Sequence, residues 1–488
     1  MRQLSLLSET ADKSTKVDAV AVVARSQERA KTSAARKSKS KGEPIKPATT
    51  MDEVAKRLTA AFEQVARNKG AAGPDGQSIA DLRALWSGVK PLLARALLEG
   101  SYVPGEIRRV WIPKSNGGHR GLGIPNVIDR VVQEAVRQVL EPEYEPTFHE
   151  SSHGFRPGRS CHTAIAQAKS IMDEGYEWVV DIDLERFFDR VNHQRLMSKL
   201  ALRVQDKRLL VLIGRMLKAG VVMPDGVVTS TEEGVPQGGP LSPLLSNIVL
   251  DELDQELAQR GHRFVRYADD CNIYVRSERA GQRAMKSISS FIERRLRLKV
   301  NAEKSAVARP QERHFLGFRL WREPVGETIE VLLSKRSKER IDSKIRELTP
   351  RNWGSSMQSC IEHVNQYLVG WIGFFGVCTG QVEREILGLD RHLRRRLRAV
   401  TLKHWKRKRT IVTKLIALGI KSKTAWQCVY SGKRSLWVLS HSWAVDRALR
   451  NSYWDAHGLV SLLQRWTKMR QLVAAPAQLS LSWDTKRS

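Results

Sequence analysis

Residues 263–275 read Arg-Phe-Val-Arg-Tyr-Ala-Asp-Asp-Cys-Asn-Ile-Tyr-Val. Two β-rich runs, 264–267 and 271–275, flank Ala268-Asp269-Asp270, the pattern of a hairpin whose tight turn presents two carboxylates together. Adjacent acids between apolar strands are costly, because like charges repel unless something positive sits between them. Taken alone, such a pair reads as an ordinary solvated turn. A second segment shifts the balance.

Residues 178–184, Trp-Val-Val-Asp-Ile-Asp-Leu, form an apolar strand pattern with Asp181 and Asp183 at i and i+2, hence on one face. The run continues into Glu185-Arg186-Phe187-Phe188-Asp189. A carboxylate from this strand beside Asp269 and Asp270 would make a hard-oxygen cluster suited to two Mg²⁺ ions, with Mn²⁺ as a substitute. Two such ions about 4 Å apart activate an attacking 3′-hydroxyl and stabilise a leaving pyrophosphate. The strand supplies one acid more than that site needs, so either Asp181 or Asp183 is expected to pair with a nearby arginine.

Around these segments lies a chain of 488 residues, long enough for two or three domains and 41% hydrophobic, enough for a real core. Its 82 basic and 52 acidic residues leave a net charge of +30, a field that calls for a polyanionic partner rather than a small metabolite. No run approaches roughly 18 apolar residues, which excludes a spanning helix and a membrane role, and residues 1–9 do not make a secretory signal. Five cysteines (Cys161, Cys271, Cys360, Cys378, Cys428) stand far apart with no C-x-x-C pair. That spacing argues against a zinc ribbon or disulfide framework and fits a reducing, cytoplasmic compartment.

Residues 1–50, rich in Ala, Ser and Lys, read as a disordered basic tail. Val54, Leu58, Ala61, Phe62 and Val65 then recur at helical spacing. Strand candidates at 109–112, 178–184, 264–267 and 271–275 alternate irregularly with helices, as at 127–140 and 196–217. That order predicts an α+β domain around an antiparallel sheet. Past about residue 330 strand signals fade, and Val364, Tyr367, Leu368, Trp371, Phe374 and Phe375 make one apolar helical face. From Arg391 to Lys423 stand thirteen Lys or Arg and no Asp or Glu. The tail beyond 425 carries Trp426, Trp437, Trp443, Trp454 and Trp466.

Tyr267-Ala268-Asp269-Asp270, preceded by the aspartate-aromatic strand, resembles the paired catalytic motifs of reverse transcriptases. Val235-Pro236-Gln237-Gly238-Gly239-Pro240-Leu241-Ser242-Pro243 is similar to the V-P-Q-G-x-x-x-S-P motif of group II intron reverse transcriptases/maturases, and is far more specific than Tyr-x-Asp-Asp. The resemblance runs from about residue 55 to beyond 430. It implies a right-hand polymerase fold, with fingers and an antiparallel-sheet palm followed by an α-helical thumb/maturase domain. The implied segments are a 1–50 tail, fingers and palm at 51–330, thumb/maturase at 331–425, and a basic nucleic-acid-binding region at 426–488. The paired-cysteine nuclease module that many members carry is expected to be missing.

Implied roles follow residue by residue. Asp183, four and five residues ahead of Phe187 and Phe188, takes the first-strand ligand position beside Asp269 and Asp270, with Asp181 in reserve. Lys114 and Arg120, on the 111–125 hairpin, would reach the triphosphate. Phe188 would close the sugar pocket against a 2′-hydroxyl, Gln237 would face the nucleotide's sugar, and Lys304 would protonate pyrophosphate. Arg156 and Arg159 would meet the template backbone, while His153 is expected to be structural. Arg394, Arg395, Arg396, Lys406 and Arg407 would grip duplex or intron RNA, and Trp405, Trp426 and Trp437 offer rings for exposed bases.

The implied activity is RNA-directed DNA synthesis, with binding of intron RNA to promote splicing and support of retrohoming by target-primed reverse transcription. Its partners would be intron RNA, an RNA template, a DNA target or primer and deoxynucleoside triphosphates, in a bacterial ribonucleoprotein near the nucleoid. A homodimer is compatible with this. Two other readings stand beside it: a maturase that only binds RNA, and a free-standing reverse transcriptase recruited to host defence.

Overall fold

A computed structural model describes residues 49–113, 117–324, 328–431 and 435–474. The expected tail, to residue 48, and Lys114 therefore lie outside the described residues. Two compact units divide at Leu316 and Gly317, whereas the sequence pattern places a boundary near 330.

The first unit opens with helix α1 (Met51–Arg67), started by the Thr50 side chain accepting from the Glu53 amide. Met51, Val54, Leu58, Ala61, Phe62 and Val65 are all buried, the face that helical spacing marks. Each such side chain contributes about 1.5–3 kcal/mol relative to exposure. A Ser78–Asp81 capping box starts α2 (Ile79–Leu98). The hairpin of β1 (Ile107–Pro113) and β2 (His119–Pro125) leads to α3 (Val127–Tyr144), which is buried nearly all round. Next come α4 (Cys161–Asp173) and β3 (Trp178–Ile182).

The single helix expected over 196–217 is two, α5 (His193–Ala201) and α6 (Lys207–Leu217). Asp206 makes the break: its carboxylate accepts from the Arg208 amide at 2.9 Å and the Met51 amide at 2.8 Å. The short strands β4 (Val221–Val222) and β5 (Val228–Thr229) extend the β1–β2 sheet. Helix α7 (Ser242–Gln259) buries residues on every side.

Strands β6 (Arg263–Tyr267) and β7 (Asp270–Val275) form the expected hairpin, followed by α8 (Glu278–Phe291) and β8 (Ala306–Ala308). The palm sheet is antiparallel, in the order β6-β7-β3-β8. Its apolar residues Val180, Ile182, Phe264 and Ile273 belong to one core with the buried faces of α1, α3 and α7.

The second unit carries an antiparallel pair, β9 (Phe318–Arg322) and β10 (Ile329–Leu333), and its other described elements are helical. Its helices are α9 (Lys335–Leu348), α10 (Met357–Phe375), α11 (Glu383–His404), α12 (Lys408–Ala417), α13 (Ser422–Tyr430), α14 (Leu436–Leu439), α15 (Trp443–Ala448), α16 (Asn451–Ala456) and α17 (Leu462–Ala474). Val364, Leu368, Trp371 and Phe375 on α10 are buried as expected. No helix among the described residues is long and apolar enough to cross a membrane.

Candidate active site

Register sets the three carboxylates at one end of the palm sheet. Ile182 on β3 pairs with Cys271 on β7, so Asp183, one residue further, stands beside Asp270, and Asp269 occupies the turn next to it. Tyr267 pairs with Asp270, leaving Ala268 and Asp269 as a two-residue turn with Ala268 in the left-handed region at φ +56°. Past β3 the chain is taken up by segment 298–305. The Asn301 amide donates to the Asp183 carbonyl at 2.9 Å, and the Asp183 amide donates to Ser305 Oγ at 3.0 Å. Asn301 Oδ1 accepts from the Lys304 amide, and Lys304 Nζ lies 3.8 Å from Asp183 Oδ1.

Asp181 differs. Arg313 donates to its Oδ2 from Nε at 2.9 Å and from Nη2 at 2.6 Å, so this acid carries its own counter-ion. Among the described residues, Asp269 and Asp270 have no such partner. Burial raises the Asp269 carboxyl, with Asp183 adding to the rise and Arg120 opposing it. Desolvation and the neighbouring Asp269, Asp181 and Asp183 push Asp270 up to about 7. The Asp270 side chain nonetheless reaches solvent, so crowding of like charge is the part of that shift a bound cation would relieve.

Hard carboxylate oxygens without cysteine or histidine suit a divalent cation of the Mg²⁺ class. Among the described residues, no three His, Cys, Asp or Glu side chains already close on one point. Asp183, one-third exposed and only loosely paired with Lys304, is the side chain free to complete the set.

Strand β2 meets the loop that carries Gln237 and Gly238. Arg120 Nε donates to Gln237 Oε1 at 2.6 Å, and the Gly123 amide donates to the Gln237 carbonyl at 2.7 Å. Gly238 has φ +134°, and a Cβ there would stand 2.2 Å from the Gly123 carbonyl oxygen, so only glycine lets this loop lie against the strand. Phe188, 8% exposed, packs edge-on against Phe187 at 5.2 Å, and its carbonyl accepts from the Val235 amide at 2.6 Å.

Several expected contacts with nucleic acid are corrected. Arg156 is buried: its Nε donates to both Glu145 oxygens at 3.0 and 3.1 Å, and Nη1 donates to the His149 and Ser152 carbonyls. Its fork braces the loop and offers nothing to a phosphate. Arg159, half-buried, donates to the Glu150 carbonyl. His153 is structural, held between Thr163 and Gln167, and burial lowers it to about 4.

On α11, Arg396 donates to Thr349 Oγ1 and the Thr349 carbonyl, each at 2.6 Å, and Arg395 stacks 4.2 Å above the Trp437 ring. Arg394 sits 3.9 Å from the buried Asp390, its side chain 11% exposed. Arg396 and Arg394 thus face into the helical unit, and Arg395 meets it through the Trp437 ring. Lys406 and Arg407, by contrast, are exposed, as are Lys408 and Arg409 beside them. Trp437 lies under Arg395 and Arg351, whereas Trp426 is 44% exposed and stacked on Tyr430 at 5.2 Å.

The residue that the sequence reading passed over is Arg266, fully buried and ion-paired with Asp254 at 2.5 Å beneath the turn. A charged side chain in the middle of an apolar strand was the available signal.

A family described as reverse transcriptase (RNA-dependent DNA polymerase) matches residues 112–320, and one described as group II intron, maturase-specific domain, matches residues 338–416. Protein YkfC of Escherichia coli (strain K12) is 35% identical over 335 aligned positions, covering 60% of this chain and 85% of that protein. Group II intron-encoded protein LtrA of Lactococcus lactis subsp. cremoris is 43% identical over 175 residues, 36% of this chain and 29% of LtrA. The putative COX1/OXI3 intron 2 protein of Saccharomyces cerevisiae (strain ATCC 204508 / S288c) is 38% identical over 188 residues, 38% of this chain and 21% of that protein. The match thus spans most of the first relative and under a third of the other two.

Proposed function

We propose that this chain, which belongs to the group II intron-encoded reverse transcriptase/maturase family and so is an RNA-directed DNA polymerase, extends a DNA primer on an RNA template at the centre formed by Asp183, Asp269 and Asp270. The observation that supports this reading is the register of β3 on β7, whose last pair, Ile182 with Cys271, lies one residue from both Asp183 and Asp270. These three would hold two Mg²⁺ ions, which supply activation of the primer hydroxyl and neutralisation of the leaving pyrophosphate.

The remaining roles fall to the chain's own groups. Arg120 would meet the triphosphate from β2, its fork oriented by Gln237. Gln237 would face the sugar, and Phe188 would border it from the core side. Lys304, close enough to Asp183 to enter the same site, would hand a proton to the leaving pyrophosphate. In the helical unit the exposed cations Lys406 and Arg407, rather than the arginines of α11, would contact the phosphates of intron RNA, and the Trp426–Tyr430 pair would stack on unpaired bases. Splicing and retrohoming by target-primed synthesis, in a bacterial ribonucleoprotein, follow as the use of this activity.

The test is primer extension by the purified full chain on primed RNA with deoxynucleotides and Mg²⁺. Asp269→Ala should lower synthesis by about a thousandfold or more, some 4 kcal/mol of barrier, while RNA affinity stays within about twofold. Synthesis by the variant at the parental rate would refute the site.

A further inference from the structure

Arg266 carries five N–H donors, has no acceptor and cannot shed its charge, yet it is 0% exposed. Burying an ion costs several kcal/mol unless its surroundings match it closely, and apolar side chains of similar volume often serve stability better. Here the match is close and comes from separate parts of the fold. Nε donates to Asp254 Oδ1 at 2.7 Å and Nη2 to Asp254 Oδ2 at 2.5 Å, a two-pronged pair with α7. Nη1 donates to Asn247 Oδ1, also on α7, at 3.1 Å. Nη2 reaches Ser152 Oγ at 2.7 Å. The remaining bond runs forward, from Nη1 to the carbonyl of Ala268 at 2.8 Å.

That last acceptor belongs to the residue that turns the chain between the strands. Alanine at φ +56° is disfavoured by about 1–2 kcal/mol, and a charged donor on its carbonyl offsets the cost. The surroundings fix the same point. The Arg266 amide donates to the Ser151 carbonyl and the His153 amide to the Arg266 carbonyl, both at 2.8 Å. Asn247 Nδ2 donates to the Gly154 carbonyl at 2.9 Å. At Gly154 a Cβ would stand 2.2 Å from the Ala268 nitrogen, so the segment lies directly against the turn.

We propose that Arg266, clamped by Asp254, Asn247 and Ser152, is the positioning residue that fixes the Ala268–Asp269 turn and so sets the spacing at which Asp183, Asp269 and Asp270 take divalent cations. This rests on the polymerase reading above. Arg266 touches neither substrate nor cation; it acts through the Ala268 carbonyl. A group that only fastened the fold would, when removed, lower the amount of folded enzyme without changing the cation concentration at which the folded enzyme half-saturates. A positioning group changes the concentration dependence of the enzyme that remains folded.

The experiment uses the full chain in three forms: Ser152→Ala, which removes one partner and leaves the ion pair; Arg266→Lys, which keeps the charge and loses the fork; and Arg266→Met with Asp254→Leu, which replaces the pair by apolar volume. Each is scored by thermal melting, by the Mg²⁺ concentration that half-saturates primer extension, and by the Mg²⁺-induced rise in melting temperature. Folded variants should need about ten- to a hundredfold more Mg²⁺, with the Michaelis constant for deoxynucleotides changed far less. Parental Mg²⁺ half-saturation in all folded variants would overturn the proposal. A parental chain that extends no primer would sink the polymerase reading instead, and the melting shift with Mg²⁺ would still report whether Arg266 sets the cation site.

Discussion

Asp270, pushed up to about 7 by desolvation and by Asp269, Asp181 and Asp183, takes on its charge only as pH passes neutrality. An unfolded aspartate titrates near 3.9, so between roughly pH 4 and 7 the folded chain holds a proton that the unfolded chain has lost. Stability from this group is therefore present in acid, falls as pH rises through that window, and is gone above it. In chelator, Asp270→Asn should melt at a higher temperature than the parent at pH 8 and at about the same temperature at pH 4. The difference should be about 1 kcal/mol, because the side chain reaches water and solvent screens its neighbours. Mg²⁺ at pH 8 should close the gap from the parent's side. A gap independent of pH would show that the neighbouring carboxylates do not strain Asp270. At this scale the sequence was legible only in part. Period-two alternation puts Asp181 and Asp183 on one face, but Arg313, which neutralises the first, is 132 positions away and unmarked by any pattern. Arg156 misled for a related reason: Phe-Arg-Pro-Gly-Arg reads the same whether its fork meets a phosphate or two backbone carbonyls.

Elements were easier to read where one periodicity ruled. The α1 face and the β6–β7 hairpin stand where the alternation puts them, whereas the break between α5 and α6 depends on Asp206 capping two separate amides. On α11, charge and packing compete for the same residues. Six of the thirteen cations between Arg391 and Lys423 fall on α11 and suggest a helix turned toward RNA, but its apolar residues Leu393 and Leu397 are buried, and this draws Arg394, Arg395 and Arg396 in beside them. Arg396→Ala strips a donor from the Thr349 carbonyl, on a residue 0% exposed. It should cost about 1–3 kcal/mol of stability and leave the salt dependence of RNA binding unchanged. Lys406→Ala with Arg407→Ala, both at exposed positions, should do the reverse, flattening the salt slope by about one per charge with little change in melting. Both variants are checked by the same salt titration and melt, and a flattened slope for Arg396→Ala would return α11 to the interface.

Across the whole molecule the +30 charge is a sum that does not say where a polyanion lies. Arginines across the fold are consumed in ion pairs, such as Arg195 with Glu252 and Arg398 with Asp446, whereas residues 405–445 contain no acid at all. There the exposed run Lys406, Arg407, Lys408 and Arg409 is followed by Trp426 and Tyr430, 44% and 46% exposed, with Lys408 Nζ 5.1 Å from the centre of the Tyr430 ring. Two attractions of different physical kind therefore share one stretch of chain. Phosphate contacts release counterions and weaken steeply with salt; stacking on a ring does neither. Trp426→Ala with Tyr430→Ala should cost about 1–3 kcal/mol for each base that stacks, measured on an RNA with an unpaired stretch, and the loss should be the same at low and high salt. A fully paired RNA should lose much less affinity. If the double variant instead lost its affinity only at low salt, the rings would be serving to hold Lys408 in place, and recognition in this region would rest on charge alone.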